Sequence, residues 1–367
     1  MLICIAIGSS VAAFSNELQN EHLMLELINR ARRDPLTIIN ELGVDITEYL
    51  SDEEINEIGK RFPIPPVVIN EMIYQVAKTH TEDMLINGYY SSKDLNGKTV
   101  DDRIKESGYI SYKTGEVLGI LAFGNYIDPD QAVNLLFSSM IKDQLKDFHK
   151  SLLFDDEFIE VGIFIGTGIV NIGGQINNAY IVACDFVNPL QPIEMQLFKL
   201  LNESRKNPLS VASKFGVDKD RLLEKRSDIK DILINGVPLV KYNATLKIAA
   251  NEHVLDMLAN EYFSHFSMDG KSYYERIYEK GYDGVGVGES IGKYAFCSNI
   301  PIETIGLLLF KSIFINELKY KHSEELSILN PIFNEVGLSY IAGNSKILGG
   351  ICGEEVNLMV VNLGFSN

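Results

Sequence analysis

The strongest constraint on this chain is that it contains the same passage twice. Asn29, Arg32, Pro35, Gly43, Val44 and Asp45 recur 173 positions later as Asn202, Arg205, Pro208, Gly216, Val217 and Asp218. The same offset, without a gap, carries Ala77 to Ala250, Arg103 to Arg276, Glu116 to Glu289 and His149 to His322. Residues 77–116 and 250–289 share 17 identities in 40 positions, where unrelated segments of average composition share roughly two or three. A period this long is a whole domain rather than a solenoid unit, and 367 residues are enough for two separate cores. The seam is expected in "FVNPLQPIE", residues 186–194, where Pro189 and Pro192 interrupt regular structure. Residues 16–188 then make the first domain and 189–367 the second.

Each copy reads as α+β. An opening helix places Leu23, Leu27 and Ile28, then Leu197, Leu200 and Leu201, at helical spacing. Asp34-Pro35 and Asn207-Pro208 mark the start of a following helix, with a capping side chain and proline at the first position. Longer helices are expected over about 68–87 and 241–260, and again over about 129–148 and 302–321, with short ones holding Arg103 and Arg276 between them. The β-rich segments "FIEVGIFIG" and "AYIVACDFV" close the first copy, and "FNEVGLSYIAG" and "NLMVVNLGF" the second. "GYDGVGVGES" has no dinucleotide-loop register and reads as a flexible loop delivering Glu289.

A net charge of −17 argues against nucleic acid and anionic lipid as partners, because both are bound through Lys and Arg. No stretch has transmembrane length. Residues 1–15, "MLICIAIGSSVAAFS", resemble a secretory signal peptide without its basic start, so an exported, extracellular protein is expected. Removing that leader takes Cys4 and leaves Cys184, Cys297 and Cys352, an odd number without zinc-motif spacing. No disulfide scaffold follows, although one bridge stays open. Asn202-Glu-Ser204 and Asn243-Ala-Thr245 fit the glycosylation pattern, a weak signal. His80 and His253, mid-helix with Asp83 and Asp256 three residues on, read as structural, and His22 as a surface residue.

The order "YFSHFSMDGKS", "RIYEKGY", "GES" and "ILNPIFNEVG" resembles the CAP superfamily of cysteine-rich secretory, antigen-five and pathogenesis-related proteins, also called SCP-like. Residues 190–367 follow the pattern closely, and the internal repeat extends it over 17–188. The resemblance implies two tandem α-β-α sandwich domains. It also implies a cavity lined by two histidines and two acidic residues, able to hold zinc or another divalent cation. In the second copy these fall on His265, Glu289, Glu317 and His322. Counting back from "ILNP" would put the last histidine at Glu324; two extra residues after His322 reconcile that count with the repeat. The first copy keeps Glu116 and His149 but has Ser92 in place of the first histidine and Gln144 opposite Glu317, so its cavity is degenerate. Serine is a poor zinc ligand.

Two imidazoles leave coordination positions open on zinc, and a nearby carboxylate orients a histidine or accepts a proton. The leading expectation is a secreted binding module for a protein partner or a small apolar, lipid- or sterol-like ligand, with a divalent cation in the second domain. The alternative is a metal-dependent hydrolase with Glu289 or Glu317 as general base. A third is a purely structural pair of domains.

Overall fold

The computed structural model describes residues 6–125, 127–172, 175–296, 300–320, 325–349 and 355–366. The chain divides into two compact units, Met1–Pro189 and Leu190–Asn367.

The first unit contains helices α1 (Ala6–Arg33), α2 (Pro35–Glu41), α3 (Asp52–Arg61), α4 (Glu71–Asn87), α5 (Val100–Glu106) and α6 (Pro129–Leu145). Its strands are β1 (Val68–Ile69), β2 (Lys113–Phe123), β3 (Glu160–Ile172) and β4 (Gln175–Asn188). They form one sheet in the order β1-β3-β4-β2. The pair β1 and β3 is parallel, and the rest is antiparallel. Alternation along β4 explains the layers. Val182, Cys184 and Phe186 join the core made with α1 and α6, while Ala183 meets Ala77 of α4 and Ile181 meets Met84 on the other face. Helices therefore cover both faces of one sheet, an α-β-α sandwich.

The second unit repeats this with α7 (Pro192–Lys206), α8 (Pro208–Lys214), α9 (Lys219–Lys225), α10 (Lys230–Asn235), α11 (Ala244–Ala259), α12 (Tyr273–Glu279), α13 (Ile302–Tyr320) and α14 (Lys346–Gly349). Its strands β5 (Lys241–Tyr242), β6 (Gly286–Ala295), β7 (Glu335–Asn344) and β8 (Glu355–Phe365) take the same order, β5-β7-β8-β6.

Three local expectations change. The helices expected from 68 and 241 begin later, because Val68–Ile69 and Lys241–Tyr242 are short parallel strands. Asn70 and Asn243 then cap α4 and α11 by accepting the Met72 and Leu246 amides. The helix expected to reach 148 ends at Leu145, and His149 sits on the separate 3-10 turn Phe148–Lys150. The second half of the glycine-rich segment expected as a loop, residues 286–290, belongs to strand β6, which pairs with β8 along its whole length; residues 281–285 are the turn before it. Asp34 caps α2 through the Thr37 amide at 3.2 Å, whereas Asn207 makes no side-chain cap bond.

The leader expected over 1–15 lies partly outside the described residues, and α1 begins at Ala6. Cys4, Cys297 and Cys352 also lie outside them; Cys184 is a buried free thiol. Asn202 is buried, with its amide donating to Val240 O and accepting from Val240 N. It is a clamp inside the unit, not a glycan acceptor. No helix among the described residues is long and apolar enough to cross a membrane.

Candidate functional site

The site is built on β6, the edge strand of the second sheet. Glu289 lies opposite Asn362 of β8, on the face toward α11, because Val360 two residues away packs against α11 side chains. Its side chain is wholly buried. A buried carboxylate needs compensating donors, and two are present. Arg276 of α12 donates from Nη2 to Glu289 Oε2 at 2.7 Å, and His265 donates from Nδ1 to Oε1 at 2.7 Å. Arg276 also donates from Nη1 to the carbonyls of His265 and Lys271, both at 2.9 Å, which fixes the loop carrying the histidine.

The tautomer of His265 follows from this contact. A carboxylate only accepts, so the neutral ring carries its proton on Nδ1 and leaves Nε2 with a free lone pair. The side chain that carries it is 47% exposed. A cleft of about 430 Å³ in the same unit is lined by His253, Asp256, Met268, Lys271, Arg276 and Glu279 among others, but not by His265 or Glu289.

Glu317 does something different. It is buried in α13, and its carboxylate accepts the backbone N–H groups of Ser327 (2.9 Å), Ile328 (2.9 Å) and Leu329 (2.7 Å). Gln144 plays the same part in the first unit, where its Oε1 accepts from the Leu152 amide at 2.7 Å and from the Ser151 hydroxyl at 3.0 Å. An acid and an amide are interchangeable here because only acceptor capacity is used. Both residues tie down the segment leading into the closing sheet. His322 lies outside the described residues.

The first unit keeps the frame and changes the partners. Arg103 donates from Nη2 to Glu116 Oε1 at 2.5 Å and from Nη1 to Ser92 O at 3.2 Å. Ser92 is exposed, and its side chain has taken no place on the carboxylate. That place belongs to His80 of α4, fully buried, whose Nδ1 is 2.8 Å from Glu116 Oε1. Asp185 of β4 stands opposite Glu116, where the second unit has Asn362 opposite Glu289. Burial first, and the Glu116 charge second, push its carboxyl well above the usual carboxylate range. His149 is half-exposed, and the carboxylate it meets, at 3.5 Å, is Glu54 of α3.

His80 and Asp185 were not visible as site residues in the sequence. His80 reads as an ordinary helix histidine beside Asp83, yet Asp83 bonds Tyr89 and Asn87, and the ring turns to β2. His253 is its counterpart on α11. Its Nε2 lies 2.9 Å from Ser264 O, and burial lowers its pKa, so the ring is neutral. Among the described residues no group of three or more His, Cys, Asp and Glu side chains converges as a ready-made metal site.

Both halves match one family. The model of the CAP, or cysteine-rich secretory protein, family matches residues 25–186 and 224–348. Among solved structures, the chain is similar to an extracellular protein containing an SCP domain from Bacillus anthracis str. Ames. Identity is 18%, over 38% of this chain and 44% of that one, with a TM-score of 0.23. It is also similar to an outer surface protein from Borrelia burgdorferi, at 20% identity over 37% of this chain and 87% of that one, with a TM-score of 0.24. The chain thus spans less than half the length of the Bacillus protein. No curated protein matches it in sequence. With the family model covering more than half of the chain, on both of its repeated sheets, this protein belongs to the cysteine-rich secretory protein (CAP) family.

Proposed function

We propose that this is an exported binding protein whose second domain presents His265 to a divalent cation, with His322 as the companion ligand. The observation that carries this reading is the orientation of His265. Its Nδ1 is engaged by buried Glu289, and the other nitrogen of this half-exposed side chain is left with the lone pair a metal needs. The donor chemistry fits zinc, which takes imidazole nitrogen and keeps open positions when few protein ligands are present. Bound there, the cation would supply a Lewis-acidic anchor for a partner's oxygen or nitrogen donor. Phe266 and Met268 on the same loop, and Tyr274 on α12, are exposed apolar side chains, suited to an apolar ligand or a protein surface.

Binding is favoured over hydrolysis by the state of the two acids. Glu289 has one oxygen on Arg276 and the other on His265, and Glu317 spends both oxygens on loop amides. Neither is poised to take a proton from water. Metal analysis and calorimetric titration of the purified chain test the reading. Stoichiometric zinc is expected in the wild type and its loss in His265→Ala and His322→Ala. Absence of zinc uptake by the wild type would remove the metal site.

A further inference from the structure

The two helix histidines are each half-satisfied, and in opposite senses. His80 has Nδ1 on Glu116 while its Nε2 is buried without a hydrogen-bond partner. His253 has Nε2 on the Ser264 carbonyl while its Nδ1 is buried without one. Carboxylates and carbonyls only accept, so neutral His80 is the Nδ1–H form and neutral His253 the Nε2–H form.

The frame around them is shared, although Asp185 faces Glu116 where Asn362 faces Glu289, and Arg103 meets the same Glu116 oxygen as His80 whereas Arg276 takes Glu289 Oε2. Each ring lies seven residues beyond a helix backbone position that touches a sheet glycine. Ile73 touches Gly162 in the first unit, and Leu246 touches Gly337 in the second. Each carboxylate stands on the equivalent edge strand and is held by the equivalent arginine, Arg103 or Arg276. The carbonyl that His253 uses belongs to Ser264, and Ser91 holds the matching position. What differs is the neighbour of that serine. His265 occupies Glu289 Oε1 in the second unit, and Ser92 leaves Glu116 Oε1 to His80 in the first.

We propose that His253 is a stand-in partner for Glu289: when His265 leaves the carboxylate, the His253 ring gives up Ser264 and donates from Nδ1 to Glu289. The first unit displays that exchanged arrangement. His253 is then a positioning residue. It keeps Glu289 paired on Arg276 while the loop histidine moves outward toward a ligand. The inference needs no metal and stands apart from the cation reading.

Ring ¹⁵N–¹H correlation spectra of the ¹⁵N-histidine-labelled full chain near neutral pH test it. The wild type is expected to show the ring proton of His80 on Nδ1 and that of His253 on Nε2. In His265→Ser, which installs the first unit's residue at an exposed position, His253 is expected to become protonated on Nδ1. In Ser92→His, the reverse exchange is expected, with His80 losing its Nδ1 proton to the new histidine's claim on Glu116. His253 remaining Nε2–H with a bare Nδ1 in His265→Ser overturns the proposal. So does His80 keeping its Nδ1 proton in a folded Ser92→His variant. A wild type with identical tautomers in both units removes its premise.

Discussion

Arg32 and Arg205 are fully buried, yet what their guanidinium groups grip is backbone. Arg32 donates to the carbonyls of Pro65, Leu153, Asp155 and Phe158, and Arg205 to those of Pro238, Ile328, Asn330 and Phe333. Burial lowers both pKa values to about 10, still far above neutrality, so the charge persists. Replacing Arg205 by Met strands four carbonyls at once. At about 1–3 kcal/mol for each unsatisfied group, denaturant titration should show a loss of at least about 3 kcal/mol.

Asp185 makes a second prediction at this scale. Its folded carboxyl holds a proton that the unfolded chain releases near 3.8, because burial first and the Glu116 charge second oppose ionisation while Arg103 only partly offsets them. The folded state binds more protons over that window, so stability is full in acid and falls as pH rises toward the raised native value. Asp185→Asn copies Asn362 and removes that dependence. Calorimetry should show the first unit of the variant gaining stability over the wild type at neutral pH, with the gap closing near pH 4 as His80, Glu116 and Arg103 keep their contacts. A parallel pH profile for variant and wild type would sink the argument.

His265 and Glu289 were legible in the sequence as site residues, and the structure joins them; Arg276 was legible only as a repeated residue, and its grip on Glu289 emerges from the fold. His80 and Asp185 were not, because a helix pattern gives no sign of which strand a buried polar ring will meet. Arg32 was legible only as a repeated residue, since three of its four acceptors are carbonyls more than a hundred positions away.

Strands β2 and β6 were hidden for a different reason, one that belongs to the scale of elements. Several of their inward positions, Gly115 and Gly119 on β2 and Gly288 and Gly292 on β6, are glycine where an alternating pattern would show a large apolar residue. A Cβ on Gly288 would lie 2.9 Å from the Phe333 ring, and one on Gly119 would lie 3.2 Å from Met140 of α6. Glycine lets the covering side chains lie close to the strand, and it also erases the period by which a strand is recognised. The helices and the closing strands carry their own apolar periods, so they were readable.

Close approach also ranks substitutions. A Cβ on Gly337 falls 2.0 Å from the Lys247 backbone nitrogen, whereas one on Gly343 meets the end of the flexible Leu258 side chain at 2.5 Å. Gly337→Ala should therefore cost about 3 kcal/mol or more, and Gly343→Ala about 1 kcal/mol. Comparable losses for the two variants in urea titrations would contradict this account of α11 against β7.

At the scale of the whole molecule, each unit has its own sheet and its own core, and the offset between them is 173 up to the Gln144–Glu317 pair, 175 at Leu153–Ile328 and 177 at Asp185–Asn362 in the last strands. Two residues are thus added in the second copy between Glu317 and Ile328. Zinc at a hundredfold excess over its dissociation constant should stabilise the second unit by about 2.7 kcal/mol and leave the first unmoved. His265→Ser should cancel that shift. A rise in both transitions, or in the first alone, would assign the cation elsewhere.

The contrasting bonds of His80 and His253 bear on how a duplicated domain diverges. A buried carboxylate with one removable partner would make loss of that partner a folding defect. Here the helix supplies a reserve, so the loop position can drift from histidine to serine without stranding an acid in the interior. One copy is thereby released to lose its outward-facing chemistry while remaining a robust scaffold. Redundancy inside each core is what makes the pair tolerant of specialising only one member.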